Sequence, residues 1–309
     1  MQYYMAPLEG ITTYIYRSVY HKYYRDCDKY FTPFLASRRL STKEANEIKP
    51  ENNVGMNLVP QILANNVDTF LEIVAQIKDA GYQTVNINLG CPSGTVVSKK
   101  RGAGQLGDTY ALKKFLDEVF DKCPLKISVK TRVGMYDPSE WEDILKVYVE
   151  FPLEELIIHP RLREDYYKGK PRIDTVKQAL DYELPFPICY NGDIISAESY
   201  SNILGEIPSV DRVMIGRGLL RNPALIEELS DSRKPDCLED FMSELADSYE
   251  RQYGVGQDTN CLFKLKDVWN YVGPDYPECD KQLKAIRKSD TLSEYRIAVK
   301  RFFTQRESL

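Results

Sequence analysis

Histidine is almost missing from this chain, with only His21 and His159 among 309 residues. Seven cysteines never form a Cys-x-x-Cys pair, so no zinc-type ligand set stands out and no metal is expected. Those cysteines, at 27, 91, 123, 189, 237, 261 and 279, are odd in number and widely spread. That argues against a disulfide framework and for a reducing cytoplasm. No apolar run approaches the length of a bilayer span. The first residues enter a strand-like stretch, without the basic segment and apolar core of a secretion signal. Basic residues (41) are outnumbered by acidic ones (46), for a net charge of −5. Taken whole, that argues mildly against a nucleic-acid partner, although distribution can override a total.

What is present is alternation. Eight short runs rich in Val, Ile, Leu, Tyr or Phe lie at 2–6, 30–34, 58–63, 85–89, 126–130, 156–159, 187–190 and 212–215. Helical patterns separate most of them. Val67, Phe70, Leu71, Val74 and Ile77 recur at three- and four-residue steps, as do Leu112, Phe115, Leu116, Val119 and Phe120. Ser196 is placed as an N-cap for 196–204. Strand alternating with helix eight times predicts an α/β fold, a (β/α)8 TIM barrel. A doubly wound sheet is the alternative, but no early Gly-x-Gly-x-x-Gly follows a strand to support it. A barrel would gather the strand ends at one rim. Those ends carry Pro7-Leu8-Glu9, Ala36-Ser37-Arg38, Gln61, Asn88 with Cys91, Lys130 with Arg132, His159 with Arg161, Asn191-Gly192-Asp193, and Gly216-Arg217.

After Ile226 the alternation stops. The polar, Pro-containing stretch 230–236 suggests a boundary, with the barrel over 1–232 and a small all-α bundle over 233–309. Phe241, Leu245, Tyr249 and Tyr253 would form one apolar stripe of that bundle, and Leu262, Leu265, Val268, Trp269 and Val272 another. From Lys281 to Arg306 eight bases face only Asp290 and Glu294, and Lys281, Lys284 and Lys288 share a helical face. Lys99-Lys100-Arg101 is a second basic cluster, in the loop after Cys91. Each cluster alone reads equally well as a solvated face. The pair, one beside the strand ends, favours a polyanionic partner.

The rim residues suggest a cofactor. The loops after the seventh and eighth barrel strands often cradle a phosphate, and Asn191-Gly192-Asp193 and Gly216-Arg217-Gly218 suit that task. Lys130 is either a Schiff-base nucleophile or a fixed positive charge of the kind a reduced flavin needs. Gln61 offers a donor and an acceptor to a heteroaromatic edge. His159 reads either as a packed histidine or as a rim group; His21 lies in a helical stretch and takes no role. Cys91 ends a buried strand in a Gly-Cys-Pro turn, where a thiol can do chemistry.

Seven stretches are familiar together. Met5-Ala6-Pro7-Leu8-Glu9-Gly10-Ile11-Thr12, Ile87-Asn88-Leu89-Gly90-Cys91-Pro92, Lys99-Lys100-Arg101-Gly102-Ala103-Gly104, Lys130-Thr131-Arg132-Val133-Gly134, Ile158-His159-Pro160-Arg161, Asn191-Gly192-Asp193-Ile194 and Met214-Ile215-Gly216-Arg217-Gly218 resemble, in order and spacing, the tRNA-dihydrouridine synthase family. The resemblance runs from the first strand into the helical tail. It implies an FMN-binding barrel that reduces uridines of tRNA to 5,6-dihydrouridine, with NADPH as reductant. It implies FMN held by Pro7, Leu8, Glu9, Gln61, Lys130, His159, Asn191, Gly192, Asp193, Gly216 and Arg217. Cys91 matches the family's catalytic acid, protonating uracil C5 while flavin N5 delivers hydride to C6. Asn88, Arg38, Lys99, Lys100, Arg101, Arg161, Lys281, Lys284 and Lys288 are the expected substrate contacts, the last three on the helical tRNA-recognition module. The chain is expected to act as a monomer. Glu9 and Pro160 depart from the small residue or glycine often found there.

A free thiol is mostly protonated at neutral pH, as a general acid requires. Lys99, Lys100 and Arg101 would be expected to lower its pKa somewhat. The target base must also leave its stack, at a cost of a few kcal/mol. Two rivals stand beside this reading. A flavin barrel acting on a free pyrimidine would have no need of a basic helical tail. A cofactor-free RNA-binding barrel would have no need of Gln61, Lys130, Asn191 and Arg217 together.

Overall fold

The computed structural model describes residues 1–24, 27–182, 184–230, 237–254 and 256–308. Nine short strands, all parallel, form one sheet in the order β3-β2-β1-β9-β8-β7-β6-β5-β4. They are β1 (Gln2–Met5), β2 (Lys29–Phe31), β3 (Leu58–Val59), β4 (Gln61–Ile62), β5 (Thr84–Leu89), β6 (Lys126–Arg132), β7 (Leu156–His159), β8 (Ile188–Tyr190) and β9 (Arg212–Ile215). The two end strands are neighbours in sequence, separated only by Pro60. Proline has no N–H to give the ladder, so one strand registers as two. The chain stays paired across the gap: Asn86 N donates to Pro60 O at 2.9 Å, and Gln61 N to Thr32 Oγ1 at 3.0 Å. The sheet is therefore the expected closed barrel. The second strand stops at Phe31 instead of running to residue 34 because Pro33 interrupts it, and the Leu35–Ile62 bridge resumes the pairing beyond it.

Helices cover the outside: α1 (Tyr14–Tyr23), α2 (Thr42–Ile48), α3 (Val67–Asp79), α4 (Gly94–Val97), α5 (Thr109–Lys122), α6 (Glu140–Tyr148), α7 (Ile173–Asp181), α8 (Ala197–Glu206), α9 (Arg217–Arg221) and α10 (Leu225–Leu229). Their starts are chemical. Asn66 caps α3 by accepting from Thr69 N, Asp108 caps α5 from Ala111 N, and Ser196 opens α8 with a capping box. The expected stripes on α3 and α5 meet where Phe70 and Phe115 pack edge to face at 6.2 Å.

Alternation within the strands decides what the barrel holds. Tyr4, Ala6, Phe31, Val59, Ile157, Cys189 and Met214 make a small apolar cluster of their own, apart from the continuous core between strands and helices. At the amino ends of the strands, Glu155 accepts from Tyr4 Oη at 3.0 Å and Lys29 Nζ at 2.9 Å. This buried carboxylate is paired and plugs the floor. The opposite mouth is left for chemistry.

Beyond α10 the described chain is helical: α11 (Leu238–Tyr253), α12 (Asp258–Val272), α13 (Asp280–Lys288) and α14 (Leu292–Glu307), with short 3₁₀ turns at Gly273–Asp275 and Pro277–Cys279. The expected boundary at 232/233 lies outside the described residues. The predicted stripes are buried, except that Tyr253 at the end of α11 is 36% exposed. The bundle continues the barrel core. Phe241 meets Tyr16 edge-on at 5.7 Å and Tyr24 at 5.2 Å. Lys264 Nζ on α12 donates to Gly10 O at 2.7 Å, just past the end of β1, so the bundle reaches the rim of the mouth. No helix among the described residues is long and apolar enough to cross a membrane.

Candidate active site

The carboxyl ends of the strands surround one open cleft. Pro7, Leu8, Glu9, Gln61, Asn88, Cys91, Lys130, His159, Asn191, Gly192, Asp193, Gly216 and Arg217 all line it. A (β/α)8 barrel brings these distant stretches together because every strand ends at the same face.

The thiol is held by a polar relay. Asn88 Oδ1 accepts from Gly90 N at 3.1 Å and Cys91 N at 2.9 Å, closing a tight turn around the cysteine. Asn88 Nδ2 donates to Gln61 Oε1 at 2.7 Å, Gln61 Nε2 to Asn86 Oδ1 at 2.8 Å, and Asn86 Nδ2 to Ser128 Oγ at 2.9 Å. Gln61 and Asn88 therefore first position the Cys91 turn. Behind it, Gly102 has φ +56°, and a Cβ there would sit 2.9 Å from Cys91 O. Only glycine lets the following segment fold beneath the thiol.

Burial pushes the Cys91 thiol above its ordinary value, outweighing the nearby Arg132 and Lys130 cations. The expected lowering by Lys99, Lys100 and Arg101 is not what sets the thiol. Those side chains are outside the cleft, on a segment whose backbone is tied to the loop after β4 by Asn65, which donates to Lys99 O at 2.9 Å. The thiol is thus kept protonated at neutral pH.

Lys130 is half-buried, and burial with the neighbouring Arg132 lowers its ammonium to about 8. It forms no hydrogen bond or ion pair with any described residue. Its neighbour on the same face of β6, Arg132, has each of its three nitrogens bonded to backbone: Nε to Gly90 O at 2.9 Å, Nη1 to Leu162 O at 2.8 Å and Nη2 to Tyr166 O at 2.6 Å. Burial lowers Arg132 to about 10. His159 is held well below its ordinary value by burial and by Arg132, Lys130, Arg161 and Arg217, so it is neutral. Arg161 Nη1 lies 3.2 Å from His159 Nε2. Arginine only donates, which places the imidazole proton on Nδ1.

Arg161 departs from its sequence-based placement, whereas Asp193 lines the cleft but is already engaged. Arg161, expected at the substrate, is 1% exposed and does not line the cleft. It forks onto Asp193 and donates to Lys168 O at 3.2 Å and Gly169 O at 2.6 Å. Asp193, expected at the cofactor, also accepts from Arg217 Nη2 at 2.7 Å. Burial would raise its carboxyl, but Arg161 and Arg217 hold it below the usual carboxylate range. It aims Arg217 and neutralises Arg161. Asn191 Nδ2 bonds Met214 O at 2.8 Å, joining the last two strand ends. A Cβ on Gly218 would lie 2.1 Å from Ile194 O, so those two loops touch through backbone.

The two departures also find an account. Glu9 is neutralised by Lys43 Nζ at 3.0 Å, and Pro160 O accepts from Arg172 N at 2.6 Å. The remaining expected contacts lie away from the cleft. Arg38 is exposed and faces Thr69, Asp68 and Glu72; Lys281, Lys284 and Lys288 are exposed on α13, with Lys284 paired to Asp280 at 2.6 Å. Arg132 and Tyr167 also line the cleft, beyond the residues the sequence assigned to it. The step-of-two register Ser128, Lys130, Arg132 could have flagged Arg132. Tyr167 lies in an irregular loop with no such signal.

The family model for dihydrouridine synthase (Dus) matches residues 4–306. The chain belongs to the dihydrouridine synthase family. It is 28% identical over 285 residues to tRNA-dihydrouridine synthase B of Pasteurella multocida, covering 87% of this chain and 83% of that one. A probable tRNA-dihydrouridine synthase of Staphylococcus aureus is 28% identical over 243 residues, covering 76% and 73%. Among solved structures, morphinone reductase superposes with a TM-score of 0.53 at 11% identity, covering 78% of this chain and 88% of that one. An old yellow enzyme homologue from Zymomonas mobilis gives 0.54 at 10%, covering 78% and 92%. At such identities these two show the barrel fold alone.

The cleft of this dihydrouridine synthase family member suits a flavin. An unpaired ammonium in a low-dielectric cleft calls for an electron-rich or anionic partner. Gly192, Gly218 and the Arg217 guanidinium stand together at the last two strand ends of the same cleft. No group of three or more His, Cys, Asp or Glu among the described residues is placed to hold a metal.

Proposed function

We propose that this chain reduces uridine in tRNA to 5,6-dihydrouridine, with FMN as its cofactor and NADPH as reductant. The observation that carries this reading is a protonated, half-buried thiol and an unpaired ammonium lining the same cleft. A flavin held in this cleft would supply the hydride for the uracil C6 position. Cys91 supplies the proton to C5, and burial of the thiol keeps that proton available at neutral pH. Asn88 and Gln61 hold the Cys91 turn in place. Lys130, Gln61 and His159 would hold the flavin ring, and His159 stays neutral with a donor on Nδ1. Pro7, Leu8, Glu9, Asn191, Gly192, Gly216 and Arg217 would hold the rest of the cofactor, with Asp193 aiming Arg217.

The RNA needs cations outside the cleft. Lys99, Lys100, Arg101 and Arg38 on the barrel, and Lys281, Lys284 and Lys288 on α13, are exposed or partly so. We assign the barrel to 1–232 and the tRNA-recognition module to 233–309. The setting is cytoplasmic and the working unit a monomer.

The deciding experiment mixes anaerobically reduced, flavin-loaded protein with unmodified tRNA or with free uridine, following flavin reoxidation and dihydrouridine by mass spectrometry. Reoxidation by tRNA with a two-hydrogen mass gain is expected. Reaction with free uridine and none with tRNA would replace this reading with a free-pyrimidine oxidoreductase.

A further inference from the structure

The loop between β7 and α7 carries a feature that the site description leaves unused. Residues 161–172 hold five bases (Arg161, Arg163, Lys168, Lys170, Arg172) against Glu164 and Asp165. Two of the bases are internally committed, Arg161 to Asp193 and Arg172 to Asp165. The Lys168 and Lys170 side chains are exposed, and their ammonium groups have no hydrogen bond or ion pair to another described residue.

The loop is irregular but firmly pinned. From beneath, Arg132 donates to the carbonyls of Leu162 and Tyr166, and Arg161 to those of Lys168 and Gly169. Because side chains satisfy its inner backbone, its outer side chains are free for solvent or a ligand. Tyr166 and Tyr167 are both exposed, but only one of them lines the cleft. Tyr167 lines the cleft, with the Arg132 and Arg217 guanidiniums 5.5 and 5.0 Å from its ring centre. Tyr166 does not line it; it is 42% exposed, with the Arg163 guanidinium 5.2 Å from its ring centre.

Tyr166 also has φ +50°, a left-handed backbone that a bulky side chain disfavours. Glycine there would relieve the strain. A costly conformation that keeps an aromatic ring at the surface beside a cleft invites a functional reading. Position supports one. Arg132 bonds Tyr166 O with one nitrogen and Gly90 O with another, so Tyr166 lies one guanidinium away from the Cys91 turn.

Resting on the tRNA reading above, we propose that residues 163–170 form a platform for the RNA strand flanking the extruded uridine. Tyr166 stacks on the neighbouring base that extrusion leaves without a partner, and Lys168 and Lys170 meet its phosphates. Aromatic faces accept any base, and nearby cations track the backbone, which suits a strand held beside a flipped nucleotide. The guanidinium beside the ring adds a second cationic contact.

The test uses flavin-loaded, full-length protein and unmodified tRNA, with binding measured by fluorescence anisotropy over a salt series and turnover by NADPH oxidation. Tyr166→Ala should weaken tRNA binding and raise its KM by about 5-fold or more, from the loss of one base–aromatic stack. Its kcat, flavin content and RNA-independent NADPH oxidation should match wild type. Tyr166→Phe should bind like wild type. Tyr166→Gly, free of the backbone strain, should unfold no earlier than wild type yet bind as weakly as the Ala variant. Lys168→Gln and Lys170→Gln should each lower the slope of log affinity on log salt by about 0.7. Wild-type affinity in Tyr166→Gly or Tyr166→Ala, or an unchanged slope in both lysine variants, overturns the platform while wild-type tRNA reduction upholds the functional reading. A wild-type protein that neither binds nor reduces tRNA overturns both.

Discussion

Lys130→Met should make the flavin-free protein more stable while costing it the cofactor. The Lys130 ammonium is lowered from 10.5 to about 8 by burial and by Arg132, which the nearby Cys189 and Cys91 offset only in part. That drop corresponds to about 3 kcal/mol of unfavourable free energy for holding the charge in the folded state. Because the side chain is only half-buried, solvent screening reduces the usable figure to about 1–3 kcal/mol. Methionine keeps the unbranched stem and removes the charge. The pH dependence has a definite sign. Between about pH 8 and pH 10.5 the unfolded chain still binds the proton that the folded chain has released, so unfolding free energy rises with pH there. Below pH 8 the full penalty applies; above 10.5 it is gone. Urea unfolding of flavin-free wild type and Lys130→Met should therefore show a gap of about 1–3 kcal/mol favouring the variant near pH 7, closing toward pH 10. The same variant should copurify with little flavin. A variant equal to or less stable than wild type near neutral pH, or a gap indifferent to pH, would refute the claim that this ammonium is strained while it awaits a ligand.

Cys91→Ala should retain flavin but reduce tRNA uridine about 10²–10⁴-fold more slowly in single-turnover reoxidation, the span of a lost general acid. Because burial raises the thiol, its proton should persist through neutral pH. A wild-type chemical step that fades between about pH 6 and 8, as a thiol with a lowered pKa would, contradicts that direction. Asp193→Ala strips the buried Arg161 of its counter-charge, so a loss of about 3 kcal/mol or more is expected by urea unfolding, together with flavin loss. That contribution is present above the usual carboxylate range and disappears as pH falls through the lowered Asp193 pKa; an unchanged midpoint at pH 7 would disprove the clamp. Charge reversal at Lys281 and Lys288 should lower the salt slope of tRNA binding by roughly 0.7 or more each. Reversal at Lys284, already paired with Asp280, should matter less; equal affinity in the triple variant moves the contact off α13.

Much of the barrel was legible in the sequence because its signals are local. Apolar runs ended by polar residues mark strands, and Ser196 marks a helix start whose side chain accepts from nearby backbone. Pro33 and Pro60 were also in plain view, yet the shortened second strand and divided third were not anticipated. An absent N–H matters only once a neighbouring strand is there to pair with it.

The site divides along the same line. Which residues stand at strand ends follows from sequence order, so the cleft residues from Pro7 to Arg217 could be named before any fold was known. What each does there depends on contacts between segments remote in the chain. Arg161 and Asp193 neutralise each other across 32 positions, Arg132 ties the Cys91 turn to the loop beyond β7, and Tyr167 lines the cleft where Tyr166 does not. The linear chain by itself determined the order of strands and helices and the identity of the reactive groups, because those depend on local pattern and residue chemistry. Only tertiary structure decided which charges are spent on one another, which are left free for a ligand, and that the thiol keeps its proton, because burial and pairing are set by neighbours that the linear order does not reveal.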